Sequence, residues 1–142
     1  MIVRKQSWEI DMGAAIEAAA AQPFAWGTND CSLFACDVVL AMTGTDLGAD
    51  FRGKYDSRES AAEIIAFATD GGDLEALVEQ ICRENQIAEV DVAFAWRGDI
   101  ALHDTSEGPC LGIIDLEGGR YLTETHGLRI VPRDLIRRTW RV

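Results

Sequence analysis

The chain has 142 residues, 48% of them hydrophobic and 26% charged. That is one domain with a single core, and it excludes a disordered tail, a collagen-like repeat and a coiled-coil rod. With 24 acidic against 13 basic residues the formal net charge is −11, which disfavours nucleic acid and anionic membranes as partners.

No apolar run approaches the ~18 residues of a membrane span. Arg4 and Lys5 lie near the start with no apolar stretch behind them, so no signal peptide is expected. Asp11 is read as the cap of a first helix over Met12–Ala21, which Pro23 ends. A polar and aromatic loop follows, Phe24-Ala25-Trp26-Gly27-Thr28-Asn29-Asp30. Asn29 or Asp30 then caps a second helix over Cys31–Met42, with Leu33, Phe34, Val38 and Met42 near helical spacing and Gly44 as its left-handed stop. Asp56-x-x-Glu59 resembles a capping box for a third helix over Ser57–Ala68. Asp73 caps a fourth, reaching about Asn85 and carrying Leu74, Leu77, Val78 and Ile81 on one face.

Beyond residue 88 the hydrophobic period changes from helical to alternating. Val90, Val92, Phe94 and Trp96 read as a strand or an extended segment. Further strands are expected over Ile100–Leu102, Cys110–Ile114, Arg120–Glu124, Leu128–Val131 and Thr139–Val142, with a short capped turn at Pro132–Leu135 before the last. Their links are too short for parallel crossovers, so the sheet is expected to be largely antiparallel. Helices first and a strand meander second predict an α+β fold, as one domain over residues 1–142.

The four cysteines, Cys31, Cys36, Cys82 and Cys110, form no Cys-x-x-Cys pair and no metal-ligand spacing. They are read as free thiols, and no metal or cofactor is expected. Cys31 stands out because it opens a helix, where unpaired amides and the helix dipole favour a thiolate. Asp30 beside it acts in the opposite sense, and a cysteine merely packed under the helix end is the plainer alternative. Trp26, Trp96 and Trp140, with Phe24 and Tyr55, are candidates to line a groove or to anchor the core. Arg52 either pins its loop to a carboxylate or meets a substrate carboxylate. Arg133, Arg137, Arg138 and Arg141 form a basic cluster that is either a solvated surface or a docking patch.

The segment Pro23-Phe24-Ala25-Trp26-Gly27-Thr28-Asn29-Asp30-Cys31-Ser32-Leu33-Phe34 resembles the nucleophile segment of NlpC-type cell-wall cysteine peptidases, which are papain-like thiol hydrolases. Gly98-Asp99-Ile100-Ala101-Leu102 resembles the Gly-Asp strand that follows in those enzymes, Cys110-Leu111-Gly112-Ile113 their His-Val-Gly-Ile strand, and Gly127-Leu128 their later Gly-Val. The order holds over residues 23–142. The Arg52-Gly53-x-Tyr55 loop and the terminal Trp140-Arg141-Val142 are similar to an uncharacterised phage and prophage family related to these peptidases.

The resemblance implies a papain-like fold with the Cys31 helix packed on the sheet. It implies amide hydrolysis in peptidoglycan peptides, with Cys31 as nucleophile and Trp26, Asp30, Tyr55 and Arg52 as substrate-binding residues. It also implies a protein made in the bacterial cytoplasm and carried in a virion tail. One departure concerns the chemistry: the histidine position holds Cys110, and the orienting position falls near Thr123. The chain has only two histidines, His103 and His126, and His126 is the better candidate base. A metal site of Cys31, Cys110 and a histidine, or a disulfide between Cys31 and Cys110, are further alternatives. The competing function is a catalytically inactive NlpC-like fold that assembles with phage tail proteins.

Overall fold

The computed structural model describes residues 2–142. Four helices come first: α1 (Trp8–Ala21), α2 (Cys31–Thr43), α3 (Arg58–Ala68) and α4 (Leu74–Glu84). Six strands follow: β1 (Glu89–Val90), β2 (Ile100–Thr105), β3 (Gly108–Asp115), β4 (Gly118–Thr123), β5 (Gly127–Val131) and β6 (Ile136–Trp140). They form one sheet in the order β1-β6-β2-β3-β4-β5, with every pairing antiparallel. The protein is therefore α+β, as the change of hydrophobic period predicts.

Local chemistry explains the helix ends. Asp30 caps α2 by accepting the Leu33 N–H at 2.9 Å, and Gly44 ends it in the left-handed region at φ 81°. Asp73 caps α4 through the Ala76 N–H at 3.1 Å. Two caps differ from the sequence reading. Helix α1 begins at Trp8, before the expected Asp11 cap: Ser7 occupies the cap position, with its Oγ 2.7 Å from the Asp11 carboxylate. Trp8 packs against the core and carries the Arg4 guanidinium 4.2 Å from its ring centre, which draws the first turn into the fold. The α3 capping box is Ser57 with Ser60, not Asp56 with Glu59. The Ser60 hydroxyl reaches the Ser57 N–H at 3.0 Å, and so takes the role expected of Glu59.

Two strand expectations are also corrected. The alternation Val90 to Trp96 is not one strand. After β1 the Asp91 carboxylate accepts the Ala93 N–H at 2.8 Å, and a 3-10 turn over Val92–Phe94 leaves Trp96 exposed. The last strand begins at Ile136 rather than Thr139 and ends at Trp140. It crosses back from β5 and inserts between β1 and β2, pairing with both. A partner on each side defines that strand, and local pattern cannot report it.

The main core lies between the helices and one face of the sheet. Met12 and Ile16 of α1 and Phe34, Val38 and Met42 of α2 pack with Ile100, Leu102, Leu111, Ile113 and Trp140. Each large apolar side chain buried there contributes roughly 1.5–3 kcal/mol. A smaller cluster of Ala101, Ile114, Val131 and Ile136 covers the opposite face. At the end of β2, buried Asp99 accepts hydrogen bonds from Arg4, Arg141, the Trp96 N–H and the Val142 N–H, tying both chain ends to the sheet. The C-terminal arginines are thus not a free basic patch. Arg137 and Arg138 both bind Glu75 of α4, Arg141 binds Asp99, and Arg133 donates to the Val92 and Ala95 carbonyls. Among the described residues no helix is long and apolar enough to cross a membrane.

Candidate active site

The loop before α2 is built backwards from Asn29 and Asp30. The buried Asn29 amide donates to the Ala19, Gln22 and Pro23 carbonyls at 3.2, 3.3 and 3.2 Å, which fixes the loop to the end of α1. Asp30 uses both carboxylate oxygens. Besides capping Leu33, it accepts the Gly27 N–H at 2.9 Å and the Tyr55 hydroxyl at 2.6 Å. Gly27 has φ 84°, and a Cβ there would lie 2.0 Å from the Tyr55 carbonyl oxygen, so the Trp-Gly pair is required by close backbone approach. This frame sets Cys31 as the first residue of α2.

Cys31 meets the sheet where two strands part. Strands β3 and β4 pair only over Ile113–Asp115 and Gly118–Arg120. There they run close: a Cβ on Gly112 would lie 2.5 Å from the Arg120 carbonyl oxygen. Beyond that point β3 stays with β2 and β4 with β5. Ile114 exchanges its backbone bonds with Gly98 and Asp99 on the β2 side, so by strand alternation the Leu111 N–H faces the open β4 side.

The Cys31 sulfur lies at this opening. Its pKa is lowered first by the neighbouring Cys110 thiol, and further by Ser32, 3.8 Å away, and by the Leu111 N–H. Burial and the Asp30 charge oppose this. Cys110 moves the other way: its contact with Cys31 and its burial raise its pKa. All four cysteines are free thiols. Cys36 and Cys82 are both pushed up to about 12 by burial, which leaves them unreactive.

Cys31 and Cys110 open onto a cleft of about 670 Å³. Apolar side chains of α3 and α4, among them Ile65 and Leu77, form much of its wall. At its mouth Arg58 binds both Glu107 and Glu124 and lies 5.8 Å from the Trp26 ring centre, so one guanidinium spans α3 and two strand turns.

The structure brings together Cys31, Cys110, Asp30, Tyr55, Trp26 and His126 around this one cleft. It leaves out Arg52, which is bound to Asp46 at 2.9 Å and Asp37 at 2.7 Å and pins its loop to α2. Asp30 and Tyr55 are committed to each other, which makes them frame residues. His126 stands exposed at the rim. Its Nδ1 is 2.8 Å from the Thr125 hydroxyl, and its N–H donates to Thr123 Oγ1 at 2.9 Å. Thr123 also bonds the Gly127 carbonyl at 2.7 Å, which closes a tight turn around His126. The position expected to orient a base is thus spent on the turn.

One feature was missed from the sequence, the Leu111 N–H, which depends on strand divergence. His103, which the sequence ranks behind His126 as a candidate base, is the other histidine near the site. His103 lies opposite Cys110 in the β2–β3 ladder, is 3% exposed, and has no partner on either ring nitrogen. Neither histidine hydrogen-bonds the Cys31 sulfur. Among the described residues no group of three or more His, Cys, Asp or Glu side chains could hold a metal ion.

The fold and site define an α+β protein with a thiol pair in an apolar cleft between helices and a splayed sheet. The chain belongs to the family described as a domain of unknown function (DUF6950), whose profile matches residues 3–142. No curated protein and no solved structure matches it.

Proposed function

We propose that the protein is a papain-like thiol hydrolase of NlpC type that cleaves peptide-like amide bonds of peptidoglycan, with Cys31 as nucleophile. The observation that carries this reading is Cys31 itself: the first residue of α2, held toward the thiolate by Cys110 and the Leu111 N–H, at the wall of a ligand-sized cleft. In this reading the Cys31 thiolate attacks the amide carbonyl carbon. His126, the histidine that lines the cleft, takes the Cys31 proton through water, and the neighbouring Cys110 thiol favours the thiolate that results. The departing amine takes a proton from His126. Water then releases the acyl group from Cys31. The phage-tail setting belongs to the same reading and rests on the resemblance of the Trp-Gly-x-x-Asp-Cys and Arg-Gly-x-Tyr segments.

The test is release of new amino groups from purified peptidoglycan and from its stem peptides, followed by mass spectrometry. Cleavage by the wild type that is lost in Cys31→Ala is the expected result. Intact substrate after incubation with folded protein whose Cys31 alkylates at neutral pH overturns the reading.

A second reading has its own observation in support: no imidazole bonds the Cys31 sulfur. It is an inactive NlpC-like fold that joins a phage tail through its aromatic and acidic surface. Stable complex formation with tail proteins, undiminished in Cys31→Ala, is its expected result.

A further inference from the structure

Two observations bear on this site beyond amide hydrolysis. The first is that Cys31 and Cys110, free thiols on different elements and far apart in sequence, line the same cleft as neighbours. The second is His103. Leaving a buried polar group without a partner costs roughly 1–3 kcal/mol, and such groups are rare. Both ring nitrogens of His103 are in that state.

The position of His103 ties the two observations together. It pairs with Cys110 across the β2–β3 ladder, so the two side chains share one face of the sheet, with Cβ atoms about 4.5–5.5 Å apart. The Tyr121 ring packs on the imidazole with centres 4.4 Å apart and holds it there. Burial lowers the His103 pKa, with Asp104 opposing, so the ring is a neutral acceptor. The Cys110 thiol meanwhile donates to the Leu111 carbonyl at 3.5 Å, a long and weak contact.

We propose that Cys31 and Cys110 form a thiol–disulfide exchange site whose co-substrate is a small-molecule disulfide, with Cys31 attacking, Cys110 resolving and His103 accepting the Cys110 proton. The Cys31 thiolate attacks one sulfur of the disulfide. The S–S bond breaks, the first small thiolate leaves and takes a proton from water, and Cys31 carries a mixed disulfide. That step removes the negative charge facing Cys110, which was the reason Cys110 held its proton. Cys110 then gives the proton to His103 and attacks the Cys31 sulfur. The second small thiolate leaves and takes the proton from the imidazolium. Two electrons pass from the protein dithiol to the disulfide, which is reduced to two thiols, and a Cys31–Cys110 disulfide remains. The cleft is of the size that ordinarily takes a small ligand, and it gives such a disulfide access to Cys31. None of these steps requires amide hydrolysis.

The test mixes reduced protein with glutathione disulfide under anaerobic conditions, quenches with an alkylating agent, and maps the cysteines by mass spectrometry. The wild type is expected to yield the Cys31–Cys110 cross-linked peptide with little mixed disulfide. Cys110→Ser is expected to stop at glutathione on Cys31, and Cys31→Ser to react at neither position. His103→Gln is expected to slow the second step about tenfold and leave the first unchanged. Circular dichroism of each variant reports that it is folded. A wild type that retains the mixed disulfide as Cys110→Ser does, or that forms no cross-link while Cys31 alkylates freely, overturns the proposal. Loss of peptidoglycan cleavage with cross-linking retained leaves this site standing and removes only the hydrolase reading.

Discussion

Replacing Asp30 by Asn separates the framing role of the carboxylate from its effect on the neighbouring thiol, because the two move in opposite directions. In the wild type one oxygen accepts the Leu33 N–H, and the other accepts the Gly27 N–H and the Tyr55 hydroxyl. Asn is as good a helix cap as Asp, so the Leu33 bond survives in one amide orientation. That orientation sets an NH₂ against the buried Gly27 N–H, and the flipped one sets it against the Leu33 N–H. Either way one backbone N–H loses its acceptor, at about 1–3 kcal/mol. The Tyr55 bond, 2.6 Å to a carboxylate, also becomes a weaker neutral bond. Because these effects share one loop they do not add fully. The expected loss is about 2–3 kcal/mol, read from the urea midpoint at unchanged slope. The Asp30 charge also raises the Cys31 pKa. Removing it is therefore expected to shift the pH midpoint of Cys31 alkylation downward, in the less stable protein. An Asp30→Asn variant within about 0.5 kcal/mol of wild type, the scatter of an ordinary surface substitution, would refute the framing role. An upward shift of the alkylation midpoint would refute the charge argument.

Three further predictions rest on separate contacts. Cys110→Ala removes the largest influence lowering the Cys31 pKa and leaves burial and Asp30 opposed only by Ser32 and Leu111; alkylation of Cys31 at pH 7 is expected to slow by about tenfold, one pKa unit or about 1.4 kcal/mol, and an unchanged rate would show that the second thiol does not activate the first. Gly27→Ala places a methyl group on the Tyr55 carbonyl at a positive φ, so the loop must move; a loss of roughly 2 kcal/mol or more is expected by thermal melting, and a neutral result would mean that the Trp-Gly turn is not held as described. Glu75, whose pKa falls to about 2 through its bonds to Arg137 and Arg138, has a lower pKa folded than unfolded. Its contribution is thus complete above the ordinary value of 4.5 and lost as pH falls from there toward about 2. Because the pair is partly solvent-exposed and screened, the contribution is about 1 kcal/mol. Glu75→Gln is expected to flatten the acid limb of the stability curve by that amount in denaturant titrations, and an unaltered limb would refute it.

Much of the architecture is legible in the sequence because it is set by short-range chemistry. Asp30 and Asp73 cap their helices, Gly44 ends α2 in the left-handed region, and the change of period near residue 88 marks the passage from helices to sheet. Where a nearer group satisfied the same backbone donor, the reading slipped by a residue or more: Ser60 displaced Glu59 in the α3 cap, and Asp91 folded an alternating stretch into a 3-10 turn.

The site divides along the same line. The position of Cys31 at a helix start follows from its neighbours in the chain, since an Asp cap and a following apolar stripe are local signals. What faces Cys31 does not follow from them. The splaying of β3 from β4 exposes the Leu111 N–H, and the register of β2 on β3 sets His103 beside Cys110. Arg52 is drawn away to Asp37 and Asp46, and the tight turn at Thr123 sets His126 at the cleft rim beside Thr125. Local sequence determines helix caps, turns and the face each element buries, because those bonds close within a few residues. Strand order, register and the partners of a buried side chain depend on contacts between residues tens of positions apart, and only the tertiary structure decides them.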